Sequence, residues 1–210
     1  MQIKQIDIAG TPGWQFDDFY DDPIRILNWI ASTPPHPTGV NSSNSNGAYY
    51  SDMRHQVGPL KYLEPYISLI EETHGGIKND SSEPAIFTNF MHWRPHEFND
   101  YKNNYWYPHY DTAWTFILYL NPTEPKNGTN IYKAIGDYRE KVQMHEWEHH
   151  KPWHPKEHYE VVDYFEPVFN RGYLFNSGNL LHGAAVEDDT YFQDMFRLNQ
   201  VIFFNEKLYD

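Results

Sequence analysis

YPHYDTAWTFILYLN, residues 107–121, carries a chemical signal and a structural one together. Its first part, Tyr107-Pro108-His109-Tyr110-Asp111, ends in an H-x-D pair, and its second falls in a run, 113–120, that reads as a short strand. Side chains on an extended backbone alternate faces, so His109 and Asp111 present an imidazole and a carboxylate on the same side. Such a pair arises by chance in a chain rich in His and Asp. Its meaning depends on whether the surrounding sequence builds a sheet that can carry a third ligand to it.

Outward from that stretch the sequence reads as short strands with turn signals between them, at 85–92, 104–109, 113–120, 129–133, 161–165, 172–176 and 197–204. This spacing predicts a sandwich or barrel rather than a parallel sheet with crossover helices. Upstream, residues 2–8 alternate as a strand does. Asp21-Asp22-Pro23 then opens a helix with Ile24, Leu27 and Ile30 at helical spacing. Leu60, Leu63, Ile67 and Ile70 mark a second helix ending near Gly75-Gly76, beyond a Pro-, Ser- and Asn-rich loop at 33–48. The expected class is α+β, mainly β, in one domain over 1–210. Residues 1–84 supply an N-terminal strand and supporting helices, packed on a double-stranded β-helix core of the jelly-roll or cupin-like kind at 85–204. A lid-like insertion interrupts that core at 134–160.

Composition narrows the function. With 210 residues, 18% of them aromatic, the chain can bury a core, and 15 Pro with 12 Gly favour turns over long helices. A formal charge of −13 without a basic block argues against holding nucleic acid by its phosphates. There is no cysteine, so neither a disulfide framework nor a thiolate metal site is available. The N-terminus lacks an apolar leader core and no stretch is long enough to span a bilayer, so a cytoplasmic setting with no membrane partner is expected. Asn127-Gly128-Thr129 is a formal glycosylation sequon that carries no weight in that setting.

The third ligand has a candidate. His182 follows a strand and a polar turn, in Leu174-Phe175-Asn176-Ser177-Gly178-Asn179-Leu180-Leu181-His182-Gly183. With His109 and Asp111 it would make two His and one carboxylate on one face of an ion, the arrangement that leaves three positions open in non-haem Fe(II) oxygenases. Arg197 enters the apolar run RLNQVIFF, residues 197–204, where a buried guanidinium calls for a carboxylate partner.

Two rival clusters are weaker. His145-Glu146-Trp147-Glu148-His149 spells the H-E-x-x-H of zinc hydrolases, which requires a continuous helix and a further ligand. Pro152 and Pro155 occupy the places where the extended motif has Gly and His, and they stop any helix beyond 137–150. The cluster therefore reads as a solvated segment or a lid. His158-Tyr159-Glu160 is a second H-x-E, but too little chain separates it from His182 to hold the intervening strands.

In its order of motifs the chain resembles the Fe(II)/2-oxoglutarate-dependent dioxygenases, in their prolyl-hydroxylase-like branch, over residues 85–204. The likeness rests on Pro108-His109-Tyr110-Asp111, on Tyr119-Leu120-Asn121, and on Gly128-Thr129-Asn130-Ile131-Tyr132. It continues through FNRGYLFNSGNLLH, residues 169–182, and RLNQVIFF, while Asp17 to Pro23 resembles the opening of many members. The resemblance implies Fe(II) on His109, Asp111 and His182, with 2-oxoglutarate as cosubstrate and ascorbate as a stimulant. It further implies that Arg197 clamps the distal carboxylate of 2-oxoglutarate and that Tyr119 donates a second hydrogen bond there. The reaction implied is hydroxylation of a peptidyl residue, amino acid or small metabolite, with release of succinate and CO2. Asp111 separates the chain from related halogenases, which lack this carboxylate. The segment from His182 to Arg197 is longer than in many members, and Trp106 stands where some prolyl hydroxylases have Tyr. The alternatives are a cupin-type metal-binding protein without oxygenase activity, and a zinc hydrolase built on His145, Glu146 and His149.

Overall fold

The computed structural model of the chain describes residues 1–32, 36–37, 53–55, 86–93, 101–111, 114–122, 126–136, 153–187 and 197–204. Its strands are β1 (Gln2–Ile8), β2 (Thr11–Asp17), β3 (His36–Pro37), β4 (Met53–His55), β5 (Ile86–Trp93), β6 (Asn104–Trp106) and β7 (Trp114–Tyr119). They continue with β8 (Thr129–Ala134), β9 (Trp153–Pro155), β10 (Tyr159–Phe165), β11 (Gly172–Phe175), β12 (Leu181–Ala184) and β13 (Arg197–Phe204). One α-helix, α1 (Pro23–Ser32), lies between β2 and β3.

An eight-stranded sheet runs β1-β2-β11-β7-β13-β5-β4-β3, a three-stranded sheet runs β10-β8-β12, and β6 pairs with β9. Every pairing described is antiparallel. Alternation along β7 organises two layers of core. Phe116 and Leu118 join Phe16, Phe19, Leu174 and Ile202 on the face covered by α1. Ile117 and Tyr119 point the other way, where they meet Ile131 of β8 and Phe165 of β10 together with Tyr173, Phe175 and Val201. The second layer is thus enclosed between the large sheet and the three-stranded one, and the candidate site opens into it.

The N-terminal region departs from the expected set of helices. Among the described residues it builds four strands, β1 to β4, and a single helix; the helix expected at Leu60–Ile70 lies outside them, as do residues 137–152 with His145, Glu146 and His149. The strand at 11–17 was hidden by Pro12 and Gly13. Pro12 sits near the start of β2, opposite Asp7 and beyond the residues that pair with β11, so its missing N–H costs no bond to that neighbour. Gly13 lies between Ile8 and Leu174, whose carbonyl oxygen would be 2.9 Å from an added Cβ. The turn joining the hairpin is Ala9-Gly10, both at positive φ, which suits the twist of a two-residue hairpin.

α1 begins as expected, with Asp22 capping the N–H of Arg25 at 3.0 Å and Pro23 in the first turn. Its buried face differs, because Ile26 and Ile30 turn inward while Ile24 is exposed. Among the described residues no helix is long and apolar enough to cross a membrane.

Candidate metal centre

His109 and His182 are brought together by backbone. Their N–H groups each donate to the other's carbonyl, at 2.8 and 2.9 Å, in an isolated antiparallel bridge beyond the end of β6. The approach requires Gly183, since a Cβ there would meet the carbonyl oxygens of Trp106 at 2.5 Å and Tyr107 at 2.9 Å. Both rings are set in the same way. His109 Nδ1 lies 2.6 Å from Tyr107 O, and His182 Nδ1 lies 3.0 Å from Leu180 O. A carbonyl oxygen only accepts, so each Nδ1 carries hydrogen and a neutral imidazole keeps its lone pair on Nε2. Tyr107 adopts a left-handed backbone (φ 49°), a conformation that costs a non-glycine residue about 1 kcal/mol or more. That strain sits where a carbonyl must aim at a candidate ligand. The ring of Phe175 meets His182 edge-on at 5.0 Å.

Asp111 completes the group. Its Oδ1 is 3.6 Å from His109 Nε2 and its Oδ2 is 3.3 Å from His182 Nε2. One ligand atom from each of the three residues lies within 4.8 Å of the others, the single such cluster among the described residues. Burial raises the pKa of Asp111, but while the imidazoles are protonated the hydrogen bond and charge of His182 and the charge of His109, with the Thr115 hydroxyl, outweigh it. The carboxyl is held well below the usual carboxylate range. Two Nε2 atoms with hydrogen-bonded Nδ1 partners and one ionised oxygen are the donor set that suits a divalent first-row ion.

The three residues line a cavity of about 100 Å3 that Arg197 and Thr129 also line, with Ile117 and Val201 as apolar wall. Arg197 is buried, donating from Nε to Asn127 O at 2.9 Å, from one terminal nitrogen to Asn199 Oδ1 at 2.8 Å and from the other to Gly128 O at 3.1 Å. These three acceptors of Arg197 are neutral. Its guanidinium carbon stands 5.8 Å from the centre of the Tyr119 ring. Tyr119 gives its hydroxyl proton to Thr129 Oγ1 at 2.7 Å. Burial pushes the Tyr119 phenol far up, against the lowering effects of Arg197 and Thr129, so it stays protonated.

All five residues singled out by sequence therefore lie in or beside one cavity. The rival His158 lies in a short 3-10 turn with Tyr159 buried beside it, outside this cluster. Several contributors escaped the sequence reading: Thr115, Ser177, Thr129, Asn127 and the backbone carbonyls of Tyr107 and Leu180. Asn199 shares a face of β13 with Arg197, two residues away. Hydroxyls and carbonyls have no distinctive spacing, so no motif announces them.

No protein-family model matches the chain, and no curated protein does. Among solved structures it is similar to a Pseudomonas putida prolyl-4-hydroxylase, with a TM-score of 0.51 and 14% identity over 96% of each chain. A prolyl 4-hydroxylase from Phytophthora capsici aligns at a TM-score of 0.47 and 10% identity, over 93% of this chain and 59% of that one. At such identity the first likeness is one of fold alone.

Proposed function

We propose that the chain is an Fe(II)/2-oxoglutarate-dependent dioxygenase that hydroxylates a peptidyl residue, an amino acid or a small metabolite. The observation that carries this reading is the meeting of His109, Asp111 and His182 on a cavity that also holds a buried arginine. A metal-binding barrel without oxygenase activity has no need of that arginine. Bound iron and 2-oxoglutarate would supply the chemistry, placing one oxygen atom of O2 in the substrate and the other in succinate, with loss of CO2.

The work of the chain's own residues is positioning. His109, Asp111 and His182 would hold the ion on one side, leaving the opposite side for ligands. Arg197, fixed by three acceptors, would pair with the distal carboxylate of 2-oxoglutarate. Thr129 would meet the same carboxylate, with Tyr119 behind it as a hydroxyl donor. Ile117, Phe175 and Val201 line the cavity with apolar groups, which would limit water beside a bound ion.

The strand order supports a double-stranded β-helix for the core. Along the chain, β5, β7, β11 and β13 fall in the large sheet, while the His109 segment, β8, β10 and β12 fall on the opposite side. We read 1–210 as a single oxygenase domain with 85–204 as this core. The end of the 134–160 insertion, as β9, pairs with the strand leading to His109, which suits a border of the entrance. The cytoplasmic setting, the substrate class and stimulation by ascorbate belong to this proposal too.

The test is to supply purified protein with Fe(II), ascorbate and 2-oxoglutarate and measure succinate. Turnover is expected, and it is expected to vanish in folded Asp111→Ala. Metal binding without succinate would favour the cupin-type alternative.

A further inference from the structure

We propose that Thr115 and Ser177 form a hydroxyl relay that fixes the rotation of the Asp111 carboxylate and thereby sets how tightly the three-residue site holds a divalent cation. The inference rests on the metal reading of that site. Thr115 lies on β7 and Ser177 just past the end of β11, and both are buried. Thr115 Oγ1 donates to Asp111 Oδ2 at 2.8 Å and lies 2.8 Å from Ser177 Oγ. A hydroxyl has one proton to give. With that of Thr115 spent on the carboxylate, the remaining bond has a fixed sense: Ser177 donates to Thr115. Each donor in such a chain polarises the next.

Ser177 also grips Asp111 by a second route, accepting its backbone N–H at 3.1 Å. Asp111 lies on an irregular stretch between β6 and β7, and the terminal torsion of an aspartate is intrinsically broad. Backbone pairing orients the two histidines, whereas nothing in a strand ladder orients a carboxylate plane. The relay supplies that constraint, holding Oδ2 towards His182 Nε2 at 3.3 Å while Oδ1 faces His109 Nε2 at 3.6 Å. Thr115 and Ser177 are positioning residues, acting on the ion only through Asp111.

The experiment titrates the purified full chain with Co(II), reading the visible spectrum of the bound ion, alongside thermal melting of each metal-free variant. Thr115→Val is expected to weaken Co(II) by about 10–100-fold, as loss of a ligand's outer partner does, and Thr115→Ser to restore most of the affinity. Ser177→Ala keeps the backbone bond and should weaken Co(II) by a smaller factor. The double variant should bind no more weakly than Thr115→Val alone, because the serine works through the threonine. Unchanged Co(II) affinity and spectrum in folded Thr115→Val would overturn the relay while leaving the metal site standing. If Thr115→Val does not fold, Ser177→Ala decides, and wild-type affinity there overturns the proposal. A wild-type chain that takes up no Co(II) would overturn the metal reading and the relay with it.

Discussion

His109 and His182 exchange both of their backbone hydrogen bonds, at 2.8 and 2.9 Å, although a long run of chain separates them. Each ring is then turned by a bond from Nδ1 to the carbonyl two residues earlier. The spacing of the two Nε2 atoms is therefore inherited from strand pairing. Changes to backbone spacing should be felt at the ion as directly as changes to the ligands.

Gly183→Ala tests that dependence. The new methyl meets Trp106 O at 2.5 Å and Tyr107 O at 2.9 Å, both rigid backbone atoms, so β12 must move away from the His109 segment. Overpacking of this kind costs about 1–3 kcal/mol. Thermal melting should show the loss, and Co(II) titration of the folded fraction should show weakened binding with every ligand intact. Wild-type affinity would mean that the bridge does not set the site.

Arg197→Lys keeps a positive charge but cannot reproduce three directed bonds to Asn127, Asn199 and Gly128. The concentration of 2-oxoglutarate needed for half-maximal succinate formation should rise by about 10–100-fold, the worth of a lost charge-assisted pair. Affinity for Co(II) should hardly change. A variant with ordinary 2-oxoglutarate dependence would reassign the arginine to a structural role.

Asp17 and Arg171 offer a pH-dependent test of the fold. Burial raises the Asp17 pKa, but hydrogen bonds from Arg171 and Gln15 and the nearby positive charges bring it below its ordinary value. A carboxyl whose folded pKa is depressed stabilises the fold above its unfolded pKa, about 3.9, and loses that effect as pH falls through the folded value. The pair is partly exposed, so Asp17→Asn should cost only about 0.5–1 kcal/mol at pH 7. Melting curves should show the gap from wild type closing below about pH 4. A gap that persisted in acid would point to packing rather than charge.

Simultaneous replacement of His145, Glu146 and His149 by Ala should leave Co(II) binding and 2-oxoglutarate turnover in the absence of substrate essentially intact. The candidate ligands His109, Asp111 and His182 come together without them. If 134–160 borders the entrance, hydroxylation of the true substrate should suffer selectively. Metal analysis and succinate measurement on one preparation decide the matter, and a metal-free, inactive variant would restore the zinc-hydrolase alternative.

Local pattern alone located β5, β7, β8, β10, β11 and β13 to within one or two residues, because alternation and turn chemistry are properties of short segments; it overran β6 and missed the short β9 and β12, the latter carrying His182. It also singled out His109, Asp111, His182 and Arg197, and the resemblance to the dioxygenases added Tyr119. Their residue types in that order carry a chemical meaning before any contact is known. Other features depended on neighbours distant in the chain. β2 is a strand in spite of Pro12 and Gly13 because β1 and β11 lie on either side of it, and propensity yields to such pairing. Ile26 rather than Ile24 faces inward on α1 because the sheet below chooses the face. Thr115, Ser177 and Thr129 acquire roles only where three strands converge, since a hydroxyl has no meaning at a distance and a directed one at 2.8 Å. Sequence identified the groups able to bind an ion; long-range backbone pairing determined which of them meet and how each is aimed.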